Sequence, residues 1–250
     1  MRVQTTAYDQ DCLLIFEPGS VCSFADVKRY PESFPTYVEI VAWIESFIVR
    51  PNKELGREGP VCPRVRECVD RNLIKFATMR TKEATANEAV LKCEALIGAF
   101  YALFPNCDDR TLSSLVILFP DVESNEASEF IDGGHRRLRK IFVKNGLMLG
   151  EFHPQSTVRG IYNPAFRAMR APKPLFAVRA ISEHDHKFLI RPEFPLAERS
   201  ECLEALLAFV GDKLDRKTKA GIEMLVSGLK SEAASMTEIS RVVLKGNASE

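Results

Sequence analysis

Histidine sets the chemistry open to this chain, because only four occur in 250 residues and three of them lie between positions 153 and 186. His153 closes an apolar run and is followed directly by Pro154, which fixes the backbone and holds the imidazole at the rim of any sheet that the run forms. His135 follows Gly133-Gly134, where missing Cβ atoms let another group approach the backbone closely. Either imidazole has an ordinary use, capping a buried carbonyl. As a ligand to a metal or to a haem iron, either would use one neutral ring nitrogen while an acceptor held the other. His153 is the candidate metal ligand. His184-Asp185-His186 has the form of an H-x-H element, but it falls in a charged turn with no further ligand at suitable spacing and reads as solvated surface.

Two other stretches could carry chemistry. The segment from Arg159 to Arg170 joins Arg159, Arg167 and Arg170 to Tyr162 and Asn163. A guanidinium offers two parallel donors that match the two oxygens of a carboxylate or phosphate. The loop is therefore either a pocket for a carboxylated ligand or a surface tied down by its own ion pairs. Cys62 stands in Gly59-Pro60-Val61-Cys62-Pro63, where the prolines impose an extended backbone. As a nucleophile it would need a histidine brought to it by the fold; otherwise it is a buried structural thiol. No phosphate-binding glycine loop, G-x-S-x-G or H-E-x-x-H element is present.

Composition narrows the function classes. Lysine plus arginine balances aspartate plus glutamate at 34 each, so there is no basic field to draw in nucleic acid, whose binding depends on neutralising phosphates. The cluster from His135 to Lys140 is too short to alter this. Apolar runs such as 114–120 and 203–210 fall far short of a membrane span. The first residues lack a hydrophobic signal core, so a cytoplasmic location is expected. Seven cysteines, at 12, 22, 62, 68, 93, 107 and 202, share no repeated spacing and read as reduced thiols.

The elements that must position these residues follow from periodicity. Residues 1–31 read as a loosely packed N-terminal arm, residues 32–232 as a single domain and 233–250 as a frayed tail. Ser33 is expected to open a helix through Val49, where apolar residues recur every three or four positions and Pro51 ends the pattern. Strands are expected near 73–80, 115–120, 147–153 and 175–181. The second of these lacks alternation and should be central, buried on both faces. Helices are expected over 84–104, over 126–144 with a break at Gly133-Gly134, over 195–214 and over 216–229, and a long ordered loop over 154–174. The fold class is α+β, a mostly antiparallel sheet of at least four strands covered by helices.

Gly59-Pro60-Val61-Cys62-Pro63 and His135-Arg136-Arg137-Leu138, together with Gly146 through Pro154 and Pro172 through Arg179, resemble the signatures of an uncharacterised bacterial domain family. That family carries G-P-x-C-P-F-V before its first strand and G-L-M-[IL]-G-x-F-H-P before a proline-rich segment and an L-A-[IV]-R strand. The resemblance covers residues 35–195. Arg64 stands where the family has phenylalanine, which removes an apolar contact there. Members sit among bacterial genes of specialised metabolism, which implies a small-molecule enzyme. A fainter likeness of order is to the YqcI/YcgG family, some of whose members are haem-dependent hydroxylases of amino-acid nitrogen. The resemblance thus implies an oxidoreductase, a haem-dependent oxygenase acting on a small carboxylated, amino-acid-like substrate. His153 or His135 would be the axial ligand, and Arg159, Arg167 and Arg170 would hold propionates or the substrate carboxylate. The contrasting expectation is a non-catalytic module that recognises a carboxylated ligand or a protein partner.

Overall fold

A computed structural model of the chain describes residues 10–246, and the side chains of residues 11–236. The chain divides into two compact units, Met1–Ala180 and Ile181–Glu250, where the sequence suggested a single domain over 32–232.

The first unit is built on a five-stranded sheet of order β1-β2-β3-β5-β4. In chain order its elements are β1 (Cys22–Ser23), α1 (Phe24–Arg29), α2 (Pro35–Trp43) running into a π turn over Ile44–Ile48, α3 (Val65–Asp70) and β2 (Ile74–Thr78). There follow α4 (Ala86–Cys93), α5 (Leu96–Leu103), α6 (Cys107–Arg110), β3 (Ser114–Leu118), a second π turn (Ser128–Asp132), α7 (Gly133–Lys144), β4 (Leu147–Phe152) and β5 (Leu175–Ala180). The β2–β3 pair is parallel, and β1–β2, β3–β5 and β4–β5 are antiparallel. The mostly antiparallel α+β class read from the sequence is therefore the observed one.

β3 lies in the middle and feeds both cores, as its unbroken apolar run required. Leu115 and Ile117 join Ala77, Leu147, Leu149, Phe176 and Val178 under α4, α5 and α7. Val116 and Leu118 join Phe76 and Leu175 under α1 and α2. Each strand sends alternate residues to opposite faces, so both faces need a helical cover.

Three local expectations are corrected. The N-terminal segment is not a loose arm where it is described: Cys22 pairs with Phe76, and Phe24 and Val27 are buried. Its signal is a capping box, Ser23 accepting from Asp26 N–H while Asp26 accepts from Ser23 N–H, which starts a helix too short to show a period. Residues 1–9 of the expected arm lie outside the described residues. The second helix begins at Pro35 rather than Ser33, because proline's fixed φ and missing N–H suit the first helical position. The helix expected over 84–104 is two helices, with the chain turning at Glu94-Ala95 without glycine or proline.

The second unit contains α8 (His186–Leu189), α9 (Leu196–Val210) and α10 (Arg216–Gly246), with α9 and α10 packed on each other. α10 continues to Gly246, beyond the point at which fraying was expected. No helix among the described residues is long and apolar enough to cross a membrane.

Candidate functional site

The site is made by one helix and the strand that follows it. Asn145 and Gly146, the latter at φ 74°, end α7 and reverse the chain, so that β4 runs back antiparallel beneath the helix. β4 buries alternate residues Leu147, Leu149 and Glu151, and His153 continues that alternation one step past the strand. On the helical side, Asp132 closes the π turn and His135 lies three residues later, so both are on one face. Because helix and strand run in opposite directions, the four residues pair crosswise. Asp132 meets His153, and His135 meets Glu151.

Both pairs are close. His153 Nε2 lies 3.1 Å from Asp132 Oδ1 and 3.1 Å from Oδ2. His135 Nδ1 lies 2.6 Å from Glu151 Oε2. The side chains are 1% exposed for His153, 9% for Glu151, 10% for His135 and 20% for Asp132, so Asp132 forms the most open edge of the cluster. Ser128 Oγ donates to Asp132 Oδ2 at 2.9 Å. Burial opposes ionisation of Asp132, but the hydrogen bond and charge of His153, the Ser128 hydroxyl and the charge of His135 together hold its carboxyl below the usual carboxylate range. Arg139, buried on α7 four residues after His135, adds a guanidinium to the same helix.

The two imidazoles present opposite nitrogens. In His135 the carboxylate takes Nδ1 and leaves Nε2 as the other ring nitrogen. In His153 the carboxylate takes Nε2, and the buried Nδ1 has no hydrogen-bond partner among the described residues. A haem iron needs a nitrogen that a broad planar ring can approach. Nδ1 of His153 is flanked by Cβ and its ring is almost fully enclosed, so the donor set does not fit that group at His153; at His135 the nitrogen not taken by Glu151 is Nε2, on a side chain 10% exposed. Among the described residues no cluster of three or more His, Cys, Asp or Glu side chains converges on a metal position.

Gly133 and Gly134 make room for protein. A Cβ at Gly134 would stand 2.6 Å from Ala89 Cβ, and one at Gly133 would stand 2.9 Å from Ala86 Cβ. Their function is the close crossing of α4 over α7, which fixes the height of His135 above the sheet.

The remaining sequence candidates gather elsewhere in the first unit. The loop after His153 is tied back to it, since His153 N–H donates to Met169 O and Ala171 N–H donates to His153 O. Within the loop Arg167 Nη1 donates to Pro164 O and Phe166 O, and Arg170 Nε donates to Ser156 O. Arg159 is exposed and makes no hydrogen bond or ion pair among the described residues. The loop packs on the segment that carries Cys62: Asn163 Nδ2 donates to Glu54 O at 2.7 Å, and Phe166 lies 6.0 Å from Phe47. Cys62 is half-buried, its N–H bonded to Ile48 O. In the second unit His184 is exposed and His186 Nδ1 lies 3.0 Å from Glu183 O, but Asp185 between them is buried and accepts from Ser182 N–H and Oγ, so the element is not solvated surface throughout.

The sequence reading found both histidines of the cluster and neither carboxylate. Asp132-x-x-His135 and Glu151-x-His153 are the spacings of one helical face and one strand face. That signal is visible only when the two elements are read as neighbours.

The family model described as a domain of unknown function, DUF6875, matches residues 37–220. No curated protein and no solved structure matches the chain.

Proposed function

We propose that this chain, which belongs to the DUF6875 family, is a cytoplasmic enzyme that moves a proton on a small carboxylated, amino-acid-like substrate, with His135 as its base. The observation that carries the reading is the 2.6 Å approach of Glu151 to Nδ1 of a nearly buried imidazole. A carboxylate there favours the tautomer with its proton on Nδ1. The lone pair is left on Nε2, the arrangement of an oriented general base. Glu151 fixes the ring and balances the charge that forms on it, and burial strengthens both effects. Arg159, uncommitted on the loop, supplies a fork suited to a substrate carboxylate. The test is proton NMR of a mixed set of α-amino and 2-hydroxy acids incubated with the protein in D2O. Loss of an α-proton signal is expected with the wild type and not with His135→Gln or Glu151→Gln. Failure of the wild type to exchange any member of the set removes this reading.

A second reading, a haem-dependent oxygenase, is favoured by the contact of Glu151 with His135 Nδ1, which leaves Nε2 as the nitrogen that could ligate. Haem would supply the oxidative chemistry when bound. His135 would hold its iron, Glu151 would orient the ring, and Arg159 would meet a propionate. A saturable Soret change on titration with haemin, lost in His135→Ala and kept in His153→Ala, is the expected result. Absence of any saturable change ends it. A protein that binds a carboxylated ligand but shows neither exchange nor a Soret band is the non-catalytic module.

A further inference from the structure

The second unit carries a cation that no acid answers. Arg199 stands at the fourth position of α9, in Leu196-Ala197-Glu198-Arg199. Its Nε is buried without a hydrogen-bond partner, while the residue as a whole is half-buried. A guanidinium keeps its proton in a protein, so burial cannot neutralise it as it can a lysine. Buried polar groups nearly always have a partner, and an exception calls for an ion, a water or a function.

The acids of this unit are committed. Glu193 lies 2.9 Å from Arg191, Glu204 pairs with Lys230, and Asp212 lies 4.0 Å from Lys219. Asp185 accepts from Ser182, and Asp215 accepts from Thr218 at the start of α10. Glu183 stands 3.6 Å from His184. Glu198 and Glu201, which flank Arg199 on α9, have interactions of their own. No carboxylate among the described residues lies within ion-pair distance of Arg199.

The helix adds donors at the same place. α9 is 15 residues long, its N-cap is Pro195, and no side chain caps its first turn. Arg199 N–H donates to Pro195 O at 2.9 Å, so the residues before it form the open turn, where a helix carries partial positive charge. Side chains on a helix lean toward its N-terminus, which tilts the Arg199 guanidinium back over that turn.

We propose that Arg199 and the first turn of α9 form a binding site for the carboxylate of a small organic acid. Nε–H and the Nη–H on the same edge of the guanidinium are parallel donors, spaced for the two oxygens of a carboxylate. One guanidinium beside one helix start matches a single negative charge. With Glu198 and Glu201 on the same helix, a doubly charged phosphate is the poorer fit. Because the residue is only half-buried, a ligand can reach it without unfolding the unit. The site lies in the second unit and does not depend on the chemistry of His135 and Glu151 in the first.

The test follows the Nε–Hε signals of the whole chain, labelled with 15N-arginine, by two-dimensional NMR. The Arg199 signal is assigned by its absence from Arg199→Lys. Sodium acetate replaces sodium chloride at pH 7 and constant ionic strength. In the wild type the Arg199 Hε signal moves downfield along a saturable curve, as a charge-assisted bond requires, whereas the signal of exposed Arg136 follows no such curve. The melting temperature rises over the same range of acetate. Arg199→Gln needs at least about tenfold more acetate for the same rise, and Arg199→Lys, which keeps the charge without the fork, falls between. In chloride alone Arg199→Met melts no lower than the wild type, because it removes a buried N–H that had no acceptor. An Arg199 signal unmoved by acetate overturns the proposal, as does a rise in melting temperature that Arg199→Gln retains in full. A signal that phosphate saturates and acetate does not overturns the choice of a carboxylate. Each of these failures leaves the D2O exchange test of His135 untouched.

Discussion

His153 Nε2 sits at 3.1 Å from both oxygens of Asp132, and this contact joins the last residue of the π turn to the first residue beyond β4. The bond closes the open end of the α7–β4 unit opposite its Asn145-Gly146 turn, so a strand end and a helix start hold each other in register.

Because both partners are largely removed from water, breaking the pair costs more than a surface ion pair would. Asp132→Ala leaves the His153 ring buried without its acceptor, and about 1–3 kcal/mol of unfolding free energy should be lost at pH 7. Urea unfolding measures it; a loss below about 0.5 kcal/mol would show the pair to be stabilising nothing.

The same carboxyl ties stability to pH. Its folded proton affinity is lowered from an unfolded value of about 4, against the opposing effect of burial. Its contribution is therefore complete above that value and is lost as pH falls through the lower folded one. The stability difference between wild type and Asp132→Asn should shrink steadily as pH falls below about 4. A difference that grows on acidification contradicts the stated direction.

Gly134→Ala tests packing against helix propensity. Alanine gains about 1 kcal/mol in a helix interior, yet its Cβ would meet Ala89 Cβ at 2.6 Å. Overpacking should win, with a net loss of about 1–3 kcal/mol. The double variant with Ala89→Gly should recover much of it, measured by thermal melts.

Cysteine reactivity should follow burial. Burial pushes the Cys68 thiol up to about 11 and the Cys22 thiol up to about 12, and it raises Cys93 as well. Exposed Cys107 should react with a thiol reagent at once at pH 8, whereas buried Cys22, Cys68, Cys93 and Cys202 wait on unfolding. Denatured protein should titrate seven thiols; a smaller number would reveal a disulfide.

Arg167→Ala should loosen its own loop. The guanidinium is bonded to carbonyls of Pro164 and Phe166, so faster amide exchange is expected over residues 160–170, with global stability changed by less than about 1 kcal/mol. Unchanged exchange would mean that the loop is held by Phe166 and Asn163 alone.

The sequence by itself determined the elements whose signals are local. The apolar run of β3 announced a strand buried on two faces, and the strands β2, β4 and β5 lie close to where they were expected. It also singled out His135 and His153, because histidine is rare here and both stand beside backbone breakers. The tertiary structure alone decided which carboxylate each would meet. That choice depends on the direction in which the helix returns over the strand, and a one-dimensional pattern does not contain it. The glycine pair shows the same limit: its type promised a close approach, but only the crossing of α4 showed that Ala86 and Ala89 are what approaches. The short N-terminal strand escaped notice because two residues carry no period, and its stability comes from pairing with β2, a partner more than fifty positions away.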